Sequence, residues 1–128
     1  MVLSNKIAIV TGASDGLGKE VSLRLAREGV KLALLARTES KLSEVAGMCS
    51  QVGSPKAISY PVDIKDTGKL DEIVGKIVSD FGGIDILINN AGIWQKLNPL
   101  ENITKVEVED VIATNLTAQI QMDFPMII

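Results

Sequence analysis

The segment that most constrains this chain is Thr11-Gly12-Ala13-Ser14-Asp15-Gly16-Leu17-Gly18, directly after the aliphatic run Ile7–Val10. Three glycines within seven residues, between a strand candidate and a helix candidate, make a turn that few folds use. Gly12 can leave the strand through a backbone conformation closed to other residues. Gly16 lets a ligand approach the main chain, and Gly18 lets the following helix sit close to the sheet. The N-terminus of that helix offers N–H groups and a partial positive charge, which suit a pyrophosphate. The alternative is a tight turn with no ligand. A nucleotide P-loop does not fit: alanine holds position 13 where its first glycine belongs, and Glu20 stands where it needs serine or threonine.

The rest of the chain alternates short aliphatic runs with helical periodicity. Strands are expected at Ile7–Thr11, Lys31–Ala36, Ala57–Val62 and Ile84–Asn89. Their apolar residues run continuously rather than alternating, as in a parallel sheet covered on both faces. A first helix is expected from Gly16 to Glu28, with Leu17, Val21 and Leu25 inward. A second starts near Thr38, with Leu42, Val45, Ala46 and Cys49 on one face, and ends at Gly53 and Pro55. The third carries Leu70, Ile73, Val74, Ile77, Val78 and Phe81 at helical spacing, between a cap at Asp66 or Thr67 and Gly82-Gly83. A fourth begins near Thr104, with Val108, Val111, Ile112 and Leu116. The order βαβαβαβα predicts one α/β domain over residues 1–128, a Rossmann-type doubly wound parallel sheet. With 46% hydrophobic residues the chain can bury a core.

The spacing T-G-x-x-x-G-x-G resembles that of the short-chain dehydrogenases/reductases. Asp63 after the third strand, Asn89-Asn90-Ala91-Gly92 at the end of the fourth, and Asn115 on the fourth helix match the same family in order and spacing. The resemblance reaches to about residue 118 and implies a dinucleotide cofactor. It assigns the phosphates to Arg37, Gly12, Ser14, Gly16 and Gly18, the adenine to Asp63, and the nicotinamide-side ribose to Asn90, Ala91 and Gly92, and counts Asp15, Leu17 and Ile64 among the cofactor-binding residues. It implies that Asn115 holds a water near a catalytic lysine. Each polar residue also has a plainer reading: Asp63 as a turn cap, Asn89 and Asn90 as partners of loop backbone, Asn115 as a buried amide bonded within its helix.

Arg37 bears on the cofactor. An acidic residue ending the second strand would bind an adenosine 2′-hydroxyl and repel a 2′-phosphate; here Ala36 holds that place and Arg37 follows. A guanidinium forks onto phosphate, and such charged hydrogen bonds contribute roughly 1.5–3 kcal/mol each. NADP is therefore expected over NAD, with a solvated surface arginine as the alternative. Asp15 counts the other way, because relatives that prefer NADP often carry a basic residue there.

The family's chemistry further implies Y-x-x-x-K and a preceding serine. The one tyrosine, Tyr60, has Ile64 four residues on and precedes Asp63, so it is read as structural. The expectation is an NADP-dependent oxidoreductase present as a truncated form without its Ser/Tyr/Lys set and inactive alone. Its substrate would be an unidentified carbonyl or alcohol. Without the strands that continue the family's sheet, self-association through an exposed edge is expected. A non-catalytic NADP(H)-binding module is the alternative. A methyltransferase reading is disfavoured by Ala36-Arg37 at the second strand's end.

Composition excludes other classes. There is no histidine and one cysteine, so no zinc cluster, catalytic histidine or internal disulfide is expected, which fits a cytoplasmic protein. Cys49 is read as a packing residue. The net charge of −3 and scattered bases argue against nucleic acid. No apolar run approaches the ~18 residues of a membrane span.

Overall fold

A computed structural model describes residues 3–90. Within them the order is β1 (Ile7–Thr11), α1 (Gly16–Arg27), β2 (Lys31–Ala36), α2 (Glu39–Val52), β3 (Ala57–Pro61), α3 (Thr67–Phe81) and β4 (Ile86–Ile88). The strands form one parallel sheet in the order β3-β2-β1-β4. This is the expected Rossmann-like α/β architecture. The expected fourth helix lies outside the described residues.

The sheet separates two apolar layers. Ala8, Val10, Leu32 and Leu34 point to one face and pack with Leu23 and Ala26 of α1 and Leu42, Val45 and Cys49 of α2. Ile9, Ala33 and Leu35 point to the other and pack with Leu70, Val74, Ile77 and Phe81 of α3. Burial on both faces explains why β1 and β2 read as unbroken aliphatic runs.

Two strands are shorter than their apolar runs. β4 starts at Ile86 because Asp85 does side-chain work there: its Oδ2 accepts from the Ile7 amide at 2.9 Å, while the Asp85 amide donates to the Ile7 carbonyl. β3 ends at Pro61, although the Val62 amide still donates to Ala36 O at 2.9 Å. α3 is capped by Asp66, whose Oδ1 accepts from Lys69 N at 3.2 Å, and closes at Gly82.

The inward face of α1 corrects the sequence reading. Leu17 is 69% exposed, Val21 and Leu25 are half-buried, and the buried residues are Gly18, Ser22, Leu23 and Ala26. Three of these are small and lie four apart. Gly18 admits the turn at close range and Leu25 packs on the core from the side, so the spacing of large apolar residues marked the flank of the buried face rather than its centre. Ser22 is satisfied locally, its hydroxyl donating to Gly18 O at 2.7 Å. In α3, Val78 is 45% exposed rather than part of the core.

Candidate cofactor site

The chain runs outward from β1 through β2 to β3, then returns to place β4 on the other side of β1. The reversal makes a crevice at the carboxyl ends of β1 and β4, where ligands bind in open α/β sheets. The glycine turn leaves β1 there and Asn90 follows β4.

Gly12 has φ +64° and Gly16 φ +52°, both in the left-handed region that favours glycine. A Cβ on Gly18 would collide with the Gly12 carbonyl and stand 2.6 Å from Asn90 Nδ2. The third glycine thus brings α1 against the turn itself. A Cβ on Gly16 would meet nothing within 4 Å, so the main chain there opens onto space.

Thr11 fastens the crevice. It is fully buried; its Oγ1 accepts from Asn90 N at 3.0 Å and lies 3.4 Å from Ile88 O, to which it donates. Asn90 Nδ2 donates to Gly12 O at 3.3 Å. Asn90 therefore satisfies loop backbone groups, as its plainer reading held, and its side chain orients the turn's first carbonyl. Sequence reasoning passed over Thr11 as a functional position. The available signal was a hydroxyl at the end of an otherwise aliphatic strand, just before the first glycine.

At the start of α1, amides lack helical carbonyl partners. Asp15 uses one of them, its Oδ1 accepting from Gly16 N at 2.9 Å, while its carbonyl accepts the first helical bond, from Lys19 N at 3.3 Å. Ser14 is half-buried, and Leu17 projects into solvent beside the turn. Open main chain at Gly16, a helix N-terminus and no bulky side chain over either fit an anionic group such as a pyrophosphate.

The other expected residues border the same end of the sheet. Arg37 is exposed and comes directly after β2, whose Leu35 carbonyl accepts from Ala13 N of the turn at 3.2 Å. Lys41 of α2 reaches back to Asp15 at 3.8 Å between Nζ and Oδ2. Asp63, after β3, accepts from Lys65 N through Oδ1 at 3.1 Å and lies 3.9 Å from Lys65 Nζ. That is the turn-capping role, and it leaves a carboxylate with acceptor capacity at the strand's end. Ile64 is buried among the α3-side residues, its side chain part of the core. Ala91, Gly92 and Asn115 lie outside the described residues.

Two buried groups are set apart from the crevice. Burial pushes the Cys49 thiol up to about 11. Tyr60 is held protonated far above its usual range by burial and by Asp80, whose Oδ2 accepts its hydroxyl proton at 2.8 Å. That hydrogen bond ties β3 to α3, which is the structural role expected of Tyr60. Among the described residues no cluster of metal ligands occurs, and no helix is long and apolar enough to cross a membrane.

Known proteins share this arrangement. The family model for short chain dehydrogenases matches residues 6–123. The 11-beta-hydroxysteroid dehydrogenase 1A of Arabidopsis thaliana is 35% identical over 114 residues, 88% of this chain and 32% of the relative. The ketoacyl reductase HetN of Nostoc sp. is 34% identical over 94% of this chain and 41% of its own length. Among solved structures, NAD+-bound xylitol dehydrogenase superposes with a TM-score of 0.93 at 29% identity, covering 98% of this chain and 48% of that one. A metagenomic short-chain oxidoreductase in complex with NADP gives 0.89 at 30% identity, covering 95% and 55%. The chain thus spans about half or less of the length of these proteins. A sheet that reverses direction beside T-G-x-x-x-G-x-G, an asparagine that closes the turn from β4, and a family match over nearly all 128 residues agree: the chain belongs to the short-chain dehydrogenases.

Proposed function

We propose that these residues form the cofactor-binding half of an NADP-dependent oxidoreductase. The reaction of the whole enzyme is hydride transfer between nicotinamide C4 and a carbonyl or alcohol carbon. The bound nicotinamide supplies the hydride chemistry; the protein binds and orients it. Gly12, Ser14, Gly16 and Gly18 hold the phosphates through main-chain amides and the turn's shape, and Asp15 and Leu17 line the same turn. Asp63 accepts the adenine amino group beside the Ile64 main chain. Asn90, Ala91 and Gly92 take the nicotinamide-side ribose, and Asn115 orients a water. The preference for NADP rests on one observation: exposed Arg37 directly follows β2 where Ala36 leaves no carboxylate. Relatives include both NADP and NAD+ complexes, so the family alone does not choose.

Titration of the 128-residue chain with NADPH and NADH tests this. NADPH is expected to bind tighter, and Arg37→Ala to weaken NADPH by about tenfold while sparing NADH, as loss of one charged hydrogen-bonding group implies. Tighter binding of NADH by the unaltered chain would overturn the reading. Because Tyr60 is followed by Ile64 four residues on, these 128 residues hold no Y-x-x-x-K pair, and the chain alone is expected not to reduce carbonyls. NADPH oxidation with a panel of ketones and aldehydes checks that. Binding without turnover also fits a non-catalytic NADP(H)-binding module, the reading favoured by the same missing pair. Cytoplasmic location is part of the proposal.

A further inference from the structure

The acidic residue in the glycine turn is the one feature at odds with an NADP site, and the structure pairs it with a cation from a different element. Asp15 Oδ1 is committed to the Gly16 amide at 2.9 Å, and Oδ2 faces Lys41 Nζ at 3.8 Å. Lys41 sits in the first turn of α2, four residues after Arg37, so the pair spans from the turn after β1 to the helix after β2. Arg37 lies between β2 and α2, at the same end of the sheet as the turn. A 2′-phosphate gripped by Arg37 would add negative charge at the sheet end that already carries the Asp15 carboxylate, and like charges that share a site disfavour binding.

We propose that Lys41 is a specificity-determining residue that acts through Asp15: it offsets the carboxylate's charge and holds it toward α2, making the turn tolerant of a 2′-phosphate. The inference rests on the NADP reading and extends it to how a chain with aspartate in the turn can take that cofactor. It also accounts for keeping the aspartate. Asp15 caps α1, a contribution of typically ~1 kcal/mol, and Lys41 cancels the electrostatic side effect. The pair is solvent-exposed, with 82% of the Asp15 and 60% of the Lys41 side chain accessible, so the effect is small and sensitive to salt.

The test is calorimetric titration of the full chain at low salt with adenosine 2′,5′-bisphosphate and with adenosine 5′-monophosphate (AMP). These probes differ in whether they carry the 2′-phosphate, and neither needs turnover. Four proteins are compared: unaltered, Lys41→Met, Asp15→Asn, and the double variant. Asparagine keeps an acceptor for the α1 cap. Lys41→Met is expected to weaken the bisphosphate by about threefold, the size of an exposed ion-pair effect, and to leave AMP within about twofold. In the Asp15→Asn background the same change is expected to have almost no effect on either probe. An equal loss of bisphosphate binding in both backgrounds would mean that Lys41 does not act through Asp15, and no loss in either that it does not act at all; each overturns the inference. The unaltered chain tests the underlying reading separately, because AMP bound as tightly as the bisphosphate would defeat NADP preference whatever the variants do.

Discussion

Gly18 shows how much one missing methyl group can decide. Its Cα is close enough to Gly12 and Asn90 that alanine would have to push the turn off its strand or α1 off the turn. Gly18→Ala is therefore expected to cost about 1–3 kcal/mol, as overpacking does, and to weaken dinucleotide binding further because the phosphate-facing amides move. Urea unfolding together with NADPH titration checks both; full stability and full binding in the variant would contradict the packing described. This residue's role was legible in advance, since glycine spacing reports close approach directly. Thr11 was not. Its hydroxyl meets groups 77 and 79 residues away, and nothing local distinguishes a threonine with β-strand propensity from one that pins two strand ends. Asp63 lies between: its position at a strand end was readable, while its bond to Lys65 N depends on a turn that sequence only suggests.

The helices were readable wherever their buried faces are made of large residues. Leu42, Val45, Ala46 and Cys49 of α2 were expected inward and are buried. In α1 the contact face is Gly18, Ser22 and Ala26, and hydrophobic periodicity says little about a face that small. α2 also carries a pH signature. Burial raises the Cys49 thiol from 9.0 to about 11, so folding favours the neutral form. Stability from this source is fully present below about pH 9, where folded and unfolded chains are both protonated. It is lost as pH rises from 9 through 11, because the unfolded chain releases the proton first. The urea midpoint should therefore fall across that window, and fall less in Cys49→Ala, although that variant starts lower for want of packing. Parallel decline in the two proteins would assign the alkaline loss elsewhere, Tyr60 being the other buried group held protonated.

Across the whole sheet, the two outer strands of the described residues differ. The Val62 amide points to Ala36 of β2, so the nitrogen of Pro61 faces the open side, where it has no hydrogen to offer another strand. β4, Ile86–Ile88, carries no such block and is apolar throughout. An apolar edge of that kind is a template for pairing, so the 128-residue chain is expected to self-associate, with a sedimentation coefficient that rises with concentration. One monomeric boundary at all concentrations would count against β4 as a sticking edge. The parallel α/β fold was legible from four apolar runs separated by helical periods. The strand order was not, since the return of β4 to the side of β1 depends on long-range packing. That return also sets a timetable. Gly12 opens the crevice early in the chain, but the side chain that fixes its carbonyl is Asn90, 78 positions later. A chain emerging from the ribosome therefore carries its glycine signature long before the crevice can close, and in refolding, NADPH binding is expected to trail the appearance of helix. Contacts between distant positions form late, and the crevice of this fold depends on one of them.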